Sequence, residues 1–225
     1  MTHDDKPLLP SNAADRDSDA APVRLGIVVG TTRPGRKAAD VAAWAATAAR
    51  EHGEIEVVVL DPAKFALPLL DEPVAAAFGQ YQHAHTRAWA AAVAACDAFV
   101  FVTPEYNHSF PAALKNAIDY LYEEWHHKPA AVIGYGLQGG VRAVEALRPV
   151  LVEVGAVPMS GQVALSVFED FSYDDDDDPA SAFTVTARAF QDGGLRQLLD
   201  QVLAYARVLA PLRAADPAGE VVGRR

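Results

Sequence analysis

Short, nearly unbroken apolar runs alternate along this chain with longer segments whose apolar residues recur at helical spacing. Residues 24–29 form the first run and read as a buried strand. Across 35–51, Val41, Trp44, Ala45 and Ala48 share one helical face, and Gly53 stands where a helix-ending glycine belongs. A second strand is predicted at 54–60. Its Ile55, Val57 and Val59 alternate with Glu54, Glu56 and Val58, as in a half-exposed edge strand. A loop over 62–73 and a helix over 80–96 follow. The run 98–103 is continuously apolar and therefore central, and it leads into a helix over 111–124 with Ser109 as its cap. A strand at 129–135, a helix at 139–154 closed by Gly155, and a strand opening at 156–159 complete the alternation. Residues 166–186 read as irregular. A last helix over 188–209 is bounded by Pro211, with Gly193-Gly194 as a point where it splits or starts late.

Strands alternating with helices predict an α/β protein: a doubly wound, five-stranded parallel sheet with right-handed crossovers and helices on both faces. The common order is 2-1-3-4-5, which sets strands one and three side by side at the topological switch point. The loops after them then line one crevice, flanked by the loop after strand four, Tyr135 to Gly140.

A length of 225 residues suits one domain, placed at 23–210 between an acidic, proline-punctuated leader (1–22), expected to be disordered, and a tail (211–225). The net charge of −11 is concentrated in that leader and in 169–178, which carries seven acids and no base. The rest holds 18 acids against 17 bases, with no basic face for nucleic acid. The single cysteine, Cys96, reads as a small buried hydrophobe in a reducing compartment. No apolar run is long enough to span a membrane and no secretory signal opens the chain, so the expected location is the cytoplasm.

The first loop, Gly30-Thr31-Thr32-Arg33-Pro34-Gly35-Arg36-Lys37, sets three cations at a helix start, where the dipole already disfavours them by roughly 0.3–1 kcal/mol each. A bound phosphate resolves that conflict; a solvated basic loop is the other reading. Neither a G-x-x-x-x-G-K-[ST] loop nor a G-x-G-x-x-G turn is present, so a mononucleotide phosphate fits better than a triphosphate or a dinucleotide. The second loop, Pro104-Glu105-Tyr106-Asn107-His108-Ser109, offers amides and an aromatic ring to a flat heterocycle; His108 faces either that ligand or solvent. In the third loop, Gly136, Gly139 and Gly140 permit close backbone approach, though ordinary turn punctuation explains them as well. The pairs His83/His85 and His126/His127 lack a third ligand at useful spacing, so no metal site is expected.

Three motifs together resemble the NAD(P)H-dependent FMN reductase family of flavodoxin-like proteins, which includes quinone, azo-dye and chromate reductases. They are Gly30 to Arg36, the long run from Pro104 to Asp119 with Leu114-Lys115-Asn116-Ala117-Ile118-Asp119, and Gly139-Gly140-Val141-Arg142-Ala143 followed by Leu147-Arg148. Arg36 departs from the family pattern, which often has Ser there, and Gly134-Tyr135-Gly136 lacks a common Ser. The resemblance implies that Thr31, Arg33 and Arg36, helped by Thr32 and Lys37, bind the FMN phosphate. Pro104, Glu105, Tyr106 and Asn107 would cradle the isoalloxazine, and Tyr135, Gly136, Gln138, Gly139 and Gly140 would border its pyrimidine side. It further implies hydride transfer from NADPH or NADH through FMN to a quinone, flavin, azo or metal-ion acceptor, with no catalytic side chain. A flavodoxin-like electron carrier or redox-sensing module is the alternative, disfavoured by the arginines of the first loop. A homodimer or tetramer is implied too, with Leu114, Ile118, Leu121 and Tyr122 as a contact stripe that core packing explains equally. The Asp174–Asp178 run is either a solvated loop or a field near the pocket that disfavours anionic acceptors.

Overall fold

The computed structural model describes residues 21–175, 177–178 and 181–215; the leader, apart from its last two residues, and the tail beyond 215 lie outside them. Strands β1 (Val23–Val29), β2 (Ile55–Leu60), β3 (Ala98–Pro104) and β4 (Pro129–Gly136) run parallel in the order β2-β1-β3-β4. The free edge of β4 pairs first with β5 (Val157–Pro158) and then with β6 (Val163–Ser166). The predicted order 2-1-3-4-5 is thus found, with its last position split in two. Between the halves, Met159 donates its amide to the Ala130 carbonyl, and the chain then leaves the edge. Arg148 holds that excursion by donating to the carbonyls of Met159, Ser160 and Gly161.

Helices α1 (Ala38–Glu51) and α5 (Ala189–Ala215) cover one face of the sheet. The other carries α2 (Ala84–Ala94), α3 (Ala112–Asp119) and α4 (Val141–Glu153). Along β1, Leu25, Ile27 and Val29 face the first layer and Val28 the second, the period-two alternation of a strand buried on both sides. β3 is buried along its whole length, as its unbroken apolar run required, and β2 lies at the sheet edge.

The departures from the sequence expectation have identifiable causes. α3 stops at Asp119 rather than 124, because the Trp89 and Trp125 indoles donate to the carbonyls of Ala117 (2.8 Å) and Ile118 (3.2 Å). Ser109 does not cap it: Pro111 holds the N-cap position, and Ser109 pairs with Tyr106 instead. Leu114, Ile118 and Leu121 lie in this chain's own core, so the stripe offered as a subunit contact is not a surface. α5 is neither split at Gly193-Gly194 nor stopped by Pro211, and it runs past the domain end placed at 210. Burial of Leu195, Leu198, Leu199, Val202 and Leu203 against the sheet outweighs the glycines' poor propensity. Near its end, Arg213 reaches back to the Ala206 carbonyl at 2.9 Å, close to where Pro211 withholds an amide. The segment read as irregular carries an antiparallel ribbon of β7 (Phe171–Tyr173) and β8 (Phe183–Val185). Phe171, Tyr173, Phe183 and Val185 turn it onto the α1/α5 layer, a packing that the aspartate run between its strands obscures in the sequence.

Candidate functional site

At the carboxyl ends of β1 and β3 the first two loops meet, as their adjacency in the sheet dictates. The Gly30 amide donates to the Val102 carbonyl at 2.8 Å, and the buried Thr31 hydroxyl lies 3.1 Å from the Tyr106 hydroxyl. Thr31 Oγ1 also accepts the Arg33 amide at 3.3 Å. Arg33 to Arg36 then form a turn, closed by the Arg36 amide on the Arg33 carbonyl, and α1 begins two residues later. Lys37 holds the N-cap position and gives the first-turn amides no side-chain acceptor, so that end of the helix favours an anion.

The three cations of this loop are placed differently. Arg33 is exposed, and its guanidinium has no acceptor among the described residues. Arg36 is partly buried and donates from Nη2 to Asp61 Oδ2 at 2.6 Å, while its Nε–H finds no partner among the described residues. Lys37 is turned aside onto the β7–β8 ribbon, with Nζ 3.8 Å from the Phe183 ring centre and 4.5 Å from that of Tyr173. Burial there lowers its pKa, against the opposing charge of Asp40. Thr32 is exposed and lines a cavity of about 290 Å3 with Leu67, Leu69 and Asn116. Asn116, from the long second motif, holds that rim: its side chain donates to the Pro68 carbonyl and accepts the Leu70 amide.

In the second loop, the amide of each of Tyr106 and Ser109 donates to the other's carbonyl (2.9 and 3.1 Å), with Asn107 at φ 47° and His108 at φ 75°. This is a two-residue hairpin turn of the primed kind, with asparagine and histidine, two of the non-glycine residues enriched at positive φ, at its centre. The turn leaves the Asn107 and His108 amides outside the reciprocal pair. Pro104 is buried beside Tyr135 in the ladder. The Glu105 amide donates to the Tyr135 carbonyl, while its buried side chain turns away from the crevice toward α4. Desolvation works to raise the Glu105 pKa, but the Arg142 guanidinium and the amides of Arg142 and Ala143 outweigh it and hold the carboxyl below its usual range.

The third loop turns at 136–139, with Leu137 and Gln138 exposed and Gly139 and Gly140 buried. Gly140 has φ 68°, and a Cβ there would lie 2.6 Å from the Tyr135 nitrogen, so its close approach is to the chain itself. The Tyr135 side chain is not at the edge of this loop. It lies with Ala38 in the core layer that α1 covers, and burial, with the neighbouring Tyr106, raises the phenol's pKa far above its ordinary value.

Topology therefore brings the loops that carry Thr31, Arg33 and Arg36, then Pro104, Tyr106 and Asn107, then Gly136, Gln138, Gly139 and Gly140, to the same ends of three adjacent parallel strands. It gives Lys37 to an aromatic clamp, Tyr135 to the base of α1, and the Glu105 carboxylate to α4. Sequence reasoning missed Asp61, although an acid followed by proline at a strand end signals a cap. It also missed Asp170, whose buried carboxylate accepts the Ser166 amide (2.8 Å) and the amide and guanidinium of Arg188. Nothing in the local sequence announces a contact across 18 residues.

Phosphate fits the first loop on three counts: a helix start without a side-chain cap, an exposed arginine, and a buried guanidinium N–H without an acceptor among the described residues. Residues 23–170 match the family model described as NADPH-dependent FMN reductase. An NAD(P)H-dependent FMN reductase of Saccharomyces cerevisiae is 40% identical over 140 residues, covering 57% of this chain and 73% of that protein. A quinone reductase of Pseudomonas putida is 49% identical over 63 residues, 25% of this chain and 34% of its own. Among solved structures, the flavoenzyme NAD(P)H:(acceptor) oxidoreductase FerB of Paracoccus denitrificans aligns with a TM-score of 0.64 at 25% identity, over 83% of this chain and 98% of that one.

Proposed function

The chain belongs to the NADPH-dependent FMN reductase family, and from that premise we propose that it binds FMN in the crevice between the β1, β3 and β4 loops. There it catalyses NAD(P)H + H⁺ + acceptor → NAD(P)⁺ + reduced acceptor, where the acceptor is a quinone, a flavin, an azo compound or a metal ion. FMN, when bound, supplies the hydride chemistry, for which no side chain of the crevice is suited. The observation that carries this reading is the Thr31–Tyr106 contact, which ties the anion-binding loop to the heterocycle-binding loop.

The work of the chain's own residues is then binding and orientation. Arg33 and Arg36 balance the phosphate charge at the start of α1, and Thr31 fixes the path of the loop around it. The amides of Asn107 and His108 face the ring edge, with Gly136, Gln138 and Gly139 along its other side. Two copies pairing around the crevice belong to the same proposal, with exposed Leu69, Leu137 and Phe168 near its rim as the apolar surface.

Replacing Arg33 with alanine is expected to raise the Kd for FMN about tenfold, the loss of one charge-assisted contact, without lowering Tm. Fluorescence titration and a thermal melt check this. The activity itself is tested by steady-state assays of the FMN-loaded protein with NADH and NADPH against a quinone, an azo dye and free FMN. Flavin binding without turnover of either nucleotide would place the protein among electron carriers.

A further inference from the structure

Asp61 closes β2 and lies outside every motif noted above. Its buried carboxylate is divided between two tasks. Oδ1 accepts the Ala63 amide at 3.1 Å, capping the 3₁₀ turn Pro62–Phe65, and Oδ2 accepts Arg36 Nη2 at 2.6 Å. The Arg36 side chain is 21% exposed and that of Asp61 8%. With this edge of the planar guanidinium fixed, the buried Nε–H stays without an acceptor among the described residues. Arg36 itself stands two residues before α1, whose N-cap residue Lys37 gives the first turn no side-chain acceptor.

The other two cations are not prepared in this way. Arg33 stands in solvent, and Lys37 is clamped by aromatic rings. Of the three, Arg36 is the one held by a carboxylate, and its buried Nε–H has no acceptor among the described residues. A carboxylate near a phosphate repels it. The same carboxylate also removes the entropy that a free arginine would lose on binding, and it leaves the guanidinium's unmet donor as the feature a phosphate oxygen satisfies.

Resting on the FMN reading above, we propose that Asp61 is a positioning residue for the cofactor's phosphate: it presets Arg36 in the free protein so that its remaining N–H groups receive a phosphate oxygen. Phosphate-bearing flavin is thereby selected over riboflavin through a residue that does not itself touch the ligand.

The test uses the full chain and four variants: Asp61→Asn, Asp61→Ser, Arg36→Ser, and Asp61→Asn combined with Arg36→Ser. Asparagine and serine both keep an oxygen for the Ala63 amide, so the turn retains its cap. FMN and riboflavin are titrated separately by fluorescence quenching. Either Asp61 variant should raise the FMN Kd about tenfold, roughly 1.4 kcal/mol, and leave riboflavin unchanged. In the Arg36→Ser background the Asp61 change should have no further effect, because the coupling runs through Arg36. Unchanged or tighter FMN binding in the Asp61 variants overturns the proposal. So does an equal loss for both flavins, or a loss that persists without Arg36. Should the wild type bind FMN no better than riboflavin, the placement of the phosphate falls and this inference with it; wild-type selectivity that survives both Asp61 variants overturns the inference alone.

Discussion

Gly30→Ala is expected to destabilise the protein by at least about 2 kcal/mol and to abolish measurable flavin binding. A Cβ at position 30 would lie 2.3 Å from the Val102 carbonyl oxygen and 3.1 Å from Leu114 Cδ2. The first obstacle is backbone, so no rotamer change relieves it. It is also the acceptor of the Gly30 amide, the last link between the β1 and β3 loops before the crevice opens. The loops must spread, and the Thr31–Tyr106 contact parts with them. For a chain of this size the shift in Tm is roughly 4–8 °C downward. A thermal melt together with an FMN titration checks both halves; a melt unchanged from wild type would show that the two loops are not locked at this point.

Asp170→Ala is expected to cost about 3 kcal/mol at neutral pH, because the carboxylate is fully buried and serves several donors. The change leaves the Ser166 and Arg188 amides without their acceptor at the junction of β6, the ribbon and α5. The Asp170 main chain also takes part there, its carbonyl accepting the Thr186 amide. Burial works to raise the Asp170 pKa, but Arg188 and the two amides prevail and hold it below the ordinary value. A carboxyl whose pKa is depressed on folding contributes stability that is fully present above its unfolded value, near 4, and is lost as pH falls through the folded value. Wild type should therefore lose stability below about pH 4 more steeply than Asp170→Asn, whose acid limb is flatter. Urea melts across the acid range measure the slope, and parallel limbs would remove Asp170 from the account.

The parts of the fold that were legible in the sequence depend on short-range pattern. The alternation at 55–59, the unbroken run at 98–103 and the glycines at 53 and 155 each report a local environment, and they suffice for the sheet order and the crevice. What stayed illegible depends on contacts between distant segments. The end of α3 is set by two indoles, the continuity of α5 by burial on the sheet, and the ribbon by aromatic residues packed on α1. The site divides in the same way. The motifs pointed to Thr31, Arg33 and the second loop, and the structure brings Thr31 and that loop's Tyr106 into contact. The destinations of Lys37, Tyr135 and the Glu105 side chain depend on neighbours 37 or more residues away: Tyr173 and Phe183, Ala38, and Arg142. Asp61 became visible as Arg36's partner only once β1 and β2 were paired.

The most direct test of the central claim is anaerobic reduction of the FMN-loaded chain, followed in the visible flavin band. Adding NADPH or NADH should bleach the band with stoichiometric loss of the nucleotide, and a quinone added next should restore it. A protein that binds FMN whose band neither nucleotide bleaches would contradict the account.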